Sequence, residues 1–472
     1  MRTLKNHRLF PWLLLAMMAV SSMNVAVSDE AGASRAMVQA KRNPAELRNF
    51  LLGMPKGADL HTHLSGAVYA EDIIDIALHG KNDYCIDGVT FYATRAPCQG
   101  GQRPISDLIS DGRLYDKVLA AWSMRGFIPG DTTGHDHFFA AFEKFGAIVS
   151  PNTGNALATI AQRAAEQNVQ YIEPLMSPAF SQVSQVADRV TYTTDFPALR
   201  QALLDNGLLQ VIPDAKRNAD VTLAQMKTAL GCDTATPKVG CQTAMAFGAQ
   251  ISRGFSPVNV FAQLLFAFEL MEADPRWVAL NMVQPEDSWT AVDDYALHMQ
   301  MIRYLKSVYP NSHVSLHAGE LTYGLVPPDA LRFHVRDAVN VAGAERIGHG
   351  VDILWEDSWR STMRAMRNRH VCVEINLTSN KYILGVSGKQ HPMRQYLKQG
   401  VPVTIATDDE GIERTDITGE YQRAVLEQDM SYLQLKKIAR AGLECSYLPE
   451  PAKQQALRQQ REMFMTFEKG YN

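Results

Sequence analysis

His61 and His63 lie two positions apart, and on an extended strand, where successive side chains alternate between faces, both imidazoles point the same way. That is a chelating arrangement. By itself it is weak, because a chain with 13 histidines makes such pairs by chance. Three further clusters carry related chemistry: His317-Ala-Gly-Glu320, Gly348-His349-Gly350, and the adjacent carboxylates Asp408 and Asp409. Each has a bland reading. His349 between glycines suits a turn, Glu320 suits the first turn of a helix, and an Asp-Asp pair after a strand suits a helix N-cap. Taken together, three neutral imidazoles and one carboxylate suit Zn²⁺, one per chain, which as a Lewis acid lowers the pKa of bound water towards about 7. Four protein ligands plus water imply five-coordination. A carboxylate three residues beyond a ligand histidine sits beside the metal without binding it, which makes Glu320 a candidate general acid or base.

These clusters meet only if the elements carrying them converge. From residue 58 onward, short apolar runs alternate with longer amphipathic stretches, the pattern of βα units around a parallel sheet. Eight runs are visible, at 58–63, 169–176, 208–214, 277–283, 313–317, 345–349, 370–377 and 401–407. Eight is the strand number of a TIM (β/α)8 barrel, and barrel enzymes place their working groups at the carboxyl ends of the strands. The four clusters end runs one, five, six and eight. A helix is predicted over 295–308, where Leu297, Met301, Ile302 and Leu305 recur at helical spacing. Further helices are predicted at 421–442 and 450–469, after run eight. The domain reading is a helical extension at 29–57 and a barrel over 58–472, with an insertion at about 81–135 after run one. That insertion is a candidate lid, closing over the site from 107–136, or a homodimer contact.

With 46% hydrophobic and 20% charged residues the chain is globular, and its net charge of -4 leaves no basic excess for gripping nucleic acid. A small neutral molecule fits better. Residues 1–28 have the three parts of a secretory signal: Arg2, Lys5 and Arg8, an apolar run at 9–20, and small residues around Ala26 and Ser28. Cleavage after Ser28 predicts a secreted or periplasmic protein. The apolar run is shorter than the ~20 residues a bilayer span needs, so no membrane attachment is expected after cleavage. The pairs Cys85/Cys98 and Cys232/Cys241, close in loop-like stretches, predict local disulfides. Cys372, inside an apolar run, reads as a buried core thiol, and Cys445 falls in a predicted helix.

At these residues the chain resembles the adenosine deaminases, especially their secreted, growth-factor-type branch. The resemblance rests on Met54-Pro-Lys-Gly-Ala-Asp-Leu-His-Thr-His-Leu-Ser-Gly66, Ser315-Leu-His-Ala-Gly-Glu320, Arg346-Ile-Gly-His-Gly350, Thr378-Ser-Asn380 with His391-Pro392, and Thr407-Asp-Asp409. It implies zinc held by His61, His63, His317 and Asp408, with Glu320 giving a proton to the purine ring nitrogen beside the attacked carbon. By the same resemblance His349 would orient or deprotonate the metal-bound water, and Asp409 would hydrogen-bond the imidazole part of the purine. Adenosine, and 2′-deoxyadenosine with it, would become inosine plus ammonia. Ser65, Gly66 and Gln284 fall at substrate-contact positions. Ser65 replaces the acidic residue that meets the ribose 5′-hydroxyl, Gln284 replaces a glycine, and Glu410 replaces a proline, adding charge near the mouth. Those departures bear on the substrate, leaving a deaminase of free or modified adenine as the nearest rival. A secreted nucleoside-binding or signalling protein without turnover is the rival of another class; the intact polar cluster argues against it, since barrel stability does not need a charged site.

Overall fold

The computed structural model describes residues 30–471, so the signal segment expected at 1–28 lies outside the described residues. Eight parallel strands follow one another around a barrel: Gly57–His63, Val169–Met176, Phe247–Ser252, Trp277–Val283, His313–Ala318, Arg346–His349, Cys372–Ile375 and Val403–Ile405. Here they are strands one to eight. The ring closes between strands eight and one, where Asp408 N–H donates to the His61 carbonyl at 2.8 Å and His63 N–H to the Asp408 carbonyl at 2.9 Å. Continuously apolar strands are what a parallel sheet covered by helices requires, and Val314, Leu316, Ile347, Val373 and Ile405 are all fully buried.

Strand three corrects the sequence reading. The run at 208–214 is helical: a 3₁₀ turn at Leu208–Val211 leads into the helix Ile212–Leu230. Its apolar residues form one helical face, with Leu208, Val211 and Ala215 buried, and Pro213 is tolerated because it sits in the first turn. The true strand, Phe247–Ser252, holds Gly248, Gln250 and Ser252 and carries little apolar signal. Gly248 is needed there, since a Cβ would fall 2.4 Å from the Leu175 side chain of strand two.

The helices Tyr295–Val308 and Glu450–Lys469 form as expected. The stretch 421–442 divides into Ile417–Glu427 and Tyr432–Glu444, because Ser431 and Gln434 build a reciprocal capping box that starts a new helix. After strand one the chain makes a small antiparallel sheet from Tyr84–Asp87, Ala93–Arg95 and Gln102–Pro104. Further along, the helix Gly134–Val149 brings Phe138, Phe139 and Phe142 to the barrel mouth, so the cover comes from just beyond the 107–136 stretch expected to supply it. Among the described residues, no helix is long and apolar enough to cross a membrane.

Cys85–Cys98 and Cys232–Cys241 pair as predicted. Cys372 is not a free core thiol: it bonds Cys445, with Cα atoms 6.3 Å apart. Cys372 opens strand seven at the amino-terminal end of the barrel, and Cys445 caps the helix Tyr432–Glu444, which packs against strands one and eight. That bond closes a loop of 73 residues, which chain entropy values at about 4 kcal/mol. Replacing Cys372 and Cys445 together by serine is expected to lower the urea midpoint by an amount equivalent to about 2–5 kcal/mol, with a steeper slope as the released unfolded chain exposes more surface. Equal midpoints for the two proteins would refute that contribution.

Candidate active site

Strand closure sets the site, because the residues that zip strands one and eight are the ones that carry the polar cluster. His61 Nε2 and His63 Nε2 lie 3.1 and 3.2 Å from His317 Nε2, and Asp408 Oδ1 lies 3.2 Å from His63 Nε2 and 3.4 Å from His61 Nε2. Donors about 2.0–2.1 Å from a tetrahedral zinc stand about 3.3–3.4 Å apart. The four atoms therefore have the spacing of a coordination shell, and Asp408 Oδ1 has no hydrogen-bond partner.

The outer nitrogens show why the imidazoles face inward. His61 Nδ1 donates to Glu374 Oε2 at 2.7 Å, and His317 Nδ1 donates to Asn281 Oδ1 at 2.7 Å. With those protons committed outward, the two Nε2 lone pairs face the centre, which is how a scaffold orients metal-binding histidines. His63 Nδ1 lies 2.7 Å from Gln250 Nε2, while Gln250 Oε1 accepts from the Ser177 hydroxyl at 3.1 Å. Turning that amide end for end keeps both contacts, since a hydroxyl both donates and accepts, and gives His63 Nδ1 the acceptor that a metal-binding tautomer needs. Burial, followed by the neighbouring imidazoles, holds His317 well below the usual histidine range, in the neutral form a metal needs.

Glu320 stands three residues beyond His317, its Oε1 3.5 Å from His349 Nδ1. Burial, then the charge of Asp408, pushes its carboxyl well above the ordinary range, towards the protonated form. The turn that carries it is held by Glu286, which accepts the N–H groups of Gly319 at 3.0 Å and Glu320 at 2.8 Å. Asp409 is likewise pushed up by burial, then by Asp408. Gly66 makes room for it, since a Cβ there would fall 1.7 Å from Asp409 Oδ1. Gln284 adopts φ 78° and spends its side-chain oxygen on the Gly254 N–H at 2.8 Å. Glu410 does not charge the mouth: it is buried and paired with Arg163 at 2.6 Å, because the helix it starts turns it inward beneath strand one.

These groups open onto a cavity of about 450 Å³. His63, His317, Glu320, Asp408 and Asp409 form its floor, Ser65 and Gln284 lie in its wall, and Phe138, Phe139, Phe142 and Ile383 cover it. No lysine or arginine lines it. Glu374, Asn281, Gln250 and Glu286 were not singled out by sequence, although a carboxylate inside the apolar run at 370–377 and an amide inside 277–283 were visible signals. Since Glu374 fixes the tautomer of His61, Glu374→Gln is expected to weaken zinc binding about 10–100-fold with the fold intact. Competition with a chelator measures this, and an unchanged affinity would contradict the orienting role.

Residues 130–462 match the family model for adenosine deaminase. An adenosine deaminase from Edwardsiella ictaluri is 32% identical over 152 residues, which is 32% of this chain and 42% of that protein, so the match spans less than half of the relative. Among solved structures, the N6-methyl-AMP deaminase of Arabidopsis thaliana aligns over 88% of this chain and 98% of its own with TM-score 0.54 and 17% identity. An amidohydrolase from Burkholderia ambifaria, with bound zinc, aligns over 90% and 94% with TM-score 0.53 and 16% identity. Those two likenesses speak for the fold, and the family match over most of the chain speaks for the lineage. A barrel whose strand ends gather three imidazoles and an aspartate beside a buried glutamate, and whose sequence fits that model from 130 to 462, belongs to the adenosine deaminase family of metal-dependent hydrolases acting on C–N bonds.

Proposed function

We propose that the protein hydrolytically deaminates adenosine, and 2′-deoxyadenosine with it, to inosine and ammonia, using one zinc ion held by His61, His63, His317 and Asp408. The observation that carries the reading is the cavity itself, whose floor combines the metal-type donors with a protonated Glu320 and whose walls hold no cation. Zinc bound to that floor would supply Lewis acidity and a water that ionises near neutral pH.

The chain's own groups account for the remaining work. Protonated Glu320 faces the cavity and delivers its proton to the purine ring nitrogen next to the amino-bearing carbon, which makes that carbon electrophilic. Asp409, neutral in its buried setting, donates to the imidazole part of the purine and fixes the ring against Glu320. His349 stands beside Asp408 and aligns the attacking water. Phe138, Phe139 and Phe142 cover the ring and exclude bulk water, which strengthens each of these hydrogen bonds. Ser65 and Gln284 line the side where the sugar extends, and Gly66 leaves room for Asp409.

The cation-free lining favours a nucleoside over a nucleotide, although one structural neighbour is an N6-methyl-AMP deaminase. Burying an unpaired ion costs several kcal/mol. At 1.4 kcal/mol per tenfold, kcat/KM for AMP is expected at least about 100-fold below that for adenosine. We also infer a working place outside the reducing cytosol, supported by three disulfides.

The ultraviolet change on adding adenosine, 2′-deoxyadenosine, adenine or AMP to the zinc-loaded protein tests the proposal. Adenosine is expected to react fastest, and Glu320→Gln to lower kcat by about 10²–10⁴-fold. Faster turnover of adenine or AMP would displace adenosine as the substrate, and a fully active Glu320→Gln would displace the acid.

A further inference from the structure

Asn380 and His391 are buried behind His349, outside the cavity lining. A chain of hydrogen bonds runs through them, and its direction is fixed at one end by the backbone. The helix Met393–Lys398 begins directly after Pro392, which has no N–H, so the Met393 amide is the free donor at that helix start. It lies 3.2 Å from His391 Nδ1. An amide N–H only donates, so His391 Nδ1 accepts. Burial, and then the neighbouring His349, pushes His391 down to about 3, which leaves it neutral with its single proton on Nε2.

That Nε2 lies 3.0 Å from Asn380 Oδ1 and donates to it. The Asn380 amide nitrogen is thereby turned to His349 Nδ1, at 2.9 Å, with the Asn376 amide nitrogen at 3.4 Å beside it. Two NH₂ groups face that ring nitrogen, so it accepts as well. The proton of neutral His349 is left on Nε2, the atom that lies 3.6 Å from Asp408 Oδ2 without a hydrogen-bond partner.

We propose that His391 and Asn380 are positioning residues that lock His349 as its Nε2–H tautomer, so that His349 donates a hydrogen bond to the attacking oxygen instead of removing its proton. The second half rests on the deaminase reading; the first half does not. The same assignment separates His349 from His61 and His317. His61 and His317 give their Nδ1 protons to outward acceptors and keep an Nε2 lone pair for the ion, whereas His349 meets outward donors and presents a proton.

The test is nitrogen NMR of the purified chain labelled at histidine with ¹⁵N, with and without zinc, the His349 signals being assigned by their loss in His349→Gln. The expected pattern is a protonated Nε2 and an accepting Nδ1 in both states. Asn380→Asp places an acceptor against Nδ1 and is expected to reverse the pattern, lowering kcat about 10–100-fold with KM unchanged. His391→Gln keeps an amide donor towards Asn380 and is expected to preserve the wild-type shifts, whereas His391→Leu releases Asn380 and gives mixed tautomers. The two His391 variants decide the matter if Asn380→Asp does not fold. A wild-type proton on Nδ1, or shifts indifferent to both Asn380 and His391, would overturn the proposal. Absence of turnover on adenosine would instead defeat the deaminase reading and leave the tautomer to be read from the shifts.

Discussion

Four electron-pair donors facing one another at 3.1–3.4 Å on a buried cavity floor are mutually repulsive unless a proton or a metal ion lies among them. Much of the surrounding structure serves to hold that repulsion in place. Glu374 and Asn281 orient two imidazoles from behind, at a typical worth of about 1.5–3 kcal/mol for the bond to the charged Glu374 and about 0.5–1.5 kcal/mol for the neutral one to Asn281. Glu374 is itself steadied by Arg346, whose Nε lies 2.6 Å from Oε1, and Arg346 reaches on to Glu173 of strand two at 2.6 Å. The barrel axis is thus filled with alternating charge from its base to the donor cluster. A buried carboxylate left alone there would cost several kcal/mol, so the ladder holds only when every rung is present.

Backbone closure imposes a second constraint in the same place. Asp408 must give its N–H and carbonyl to strand one while turning its carboxylate inward, and it does so at φ 59°. His349 adopts φ 69° and Gln284 φ 78° at the ends of strands six and four. Each such residue costs on the order of 1–3 kcal/mol and persists only where its surroundings dictate it. Gly348 shows the tolerance involved: a Cβ there would lie 2.6 Å from the His61 ring. The strand ends are therefore strained in the positions that carry chemistry, and the closing hydrogen bonds keep them so.

How far this was legible in the sequence follows the physics of each element. Seven of the eight strands announced themselves because parallel strands covered on both faces read as apolar runs. Strand three did not, because Gly248, Gln250 and Ser252 are small or polar: Gly248 admits a close neighbour, and Gln250 serves His63. The decoy at 208–214 is apolar for a different reason, being one face of a helix, and a short run cannot distinguish the two. The metal-type donors were legible because ligand chemistry restricts residue type and strand geometry restricts spacing. Their supporters were not, since Glu374, Asn281 and Glu286 lie far away in sequence and are recognisable only once strand four stands beside strand five and strand seven reaches strand one through the barrel interior. The Cys372–Cys445 bond escaped for the same reason, joining residues 73 apart that meet only when the last helices fold under the barrel.

One feature of the cavity serves two ends. In the proposed reaction Glu320 serves as an acid because burial, before any neighbouring charge, makes its ionisation costly. A lysine or arginine placed in the wall to grip a phosphate would reverse that, since an opposite charge within about 4–6 Å favours the ionised carboxylate. The cation nearest in the network, Arg253, is buried and already bonded to the carbonyls of Met282, Val283 and His317, so it braces strands four and five without presenting charge to the cavity. Glu410 and Arg163 neutralise each other beneath strand one. A lining without lysine or arginine thus adds no side-chain cation to favour ionised Glu320, and under the proposed deamination the same arrangement of charge disfavours anionic substrates.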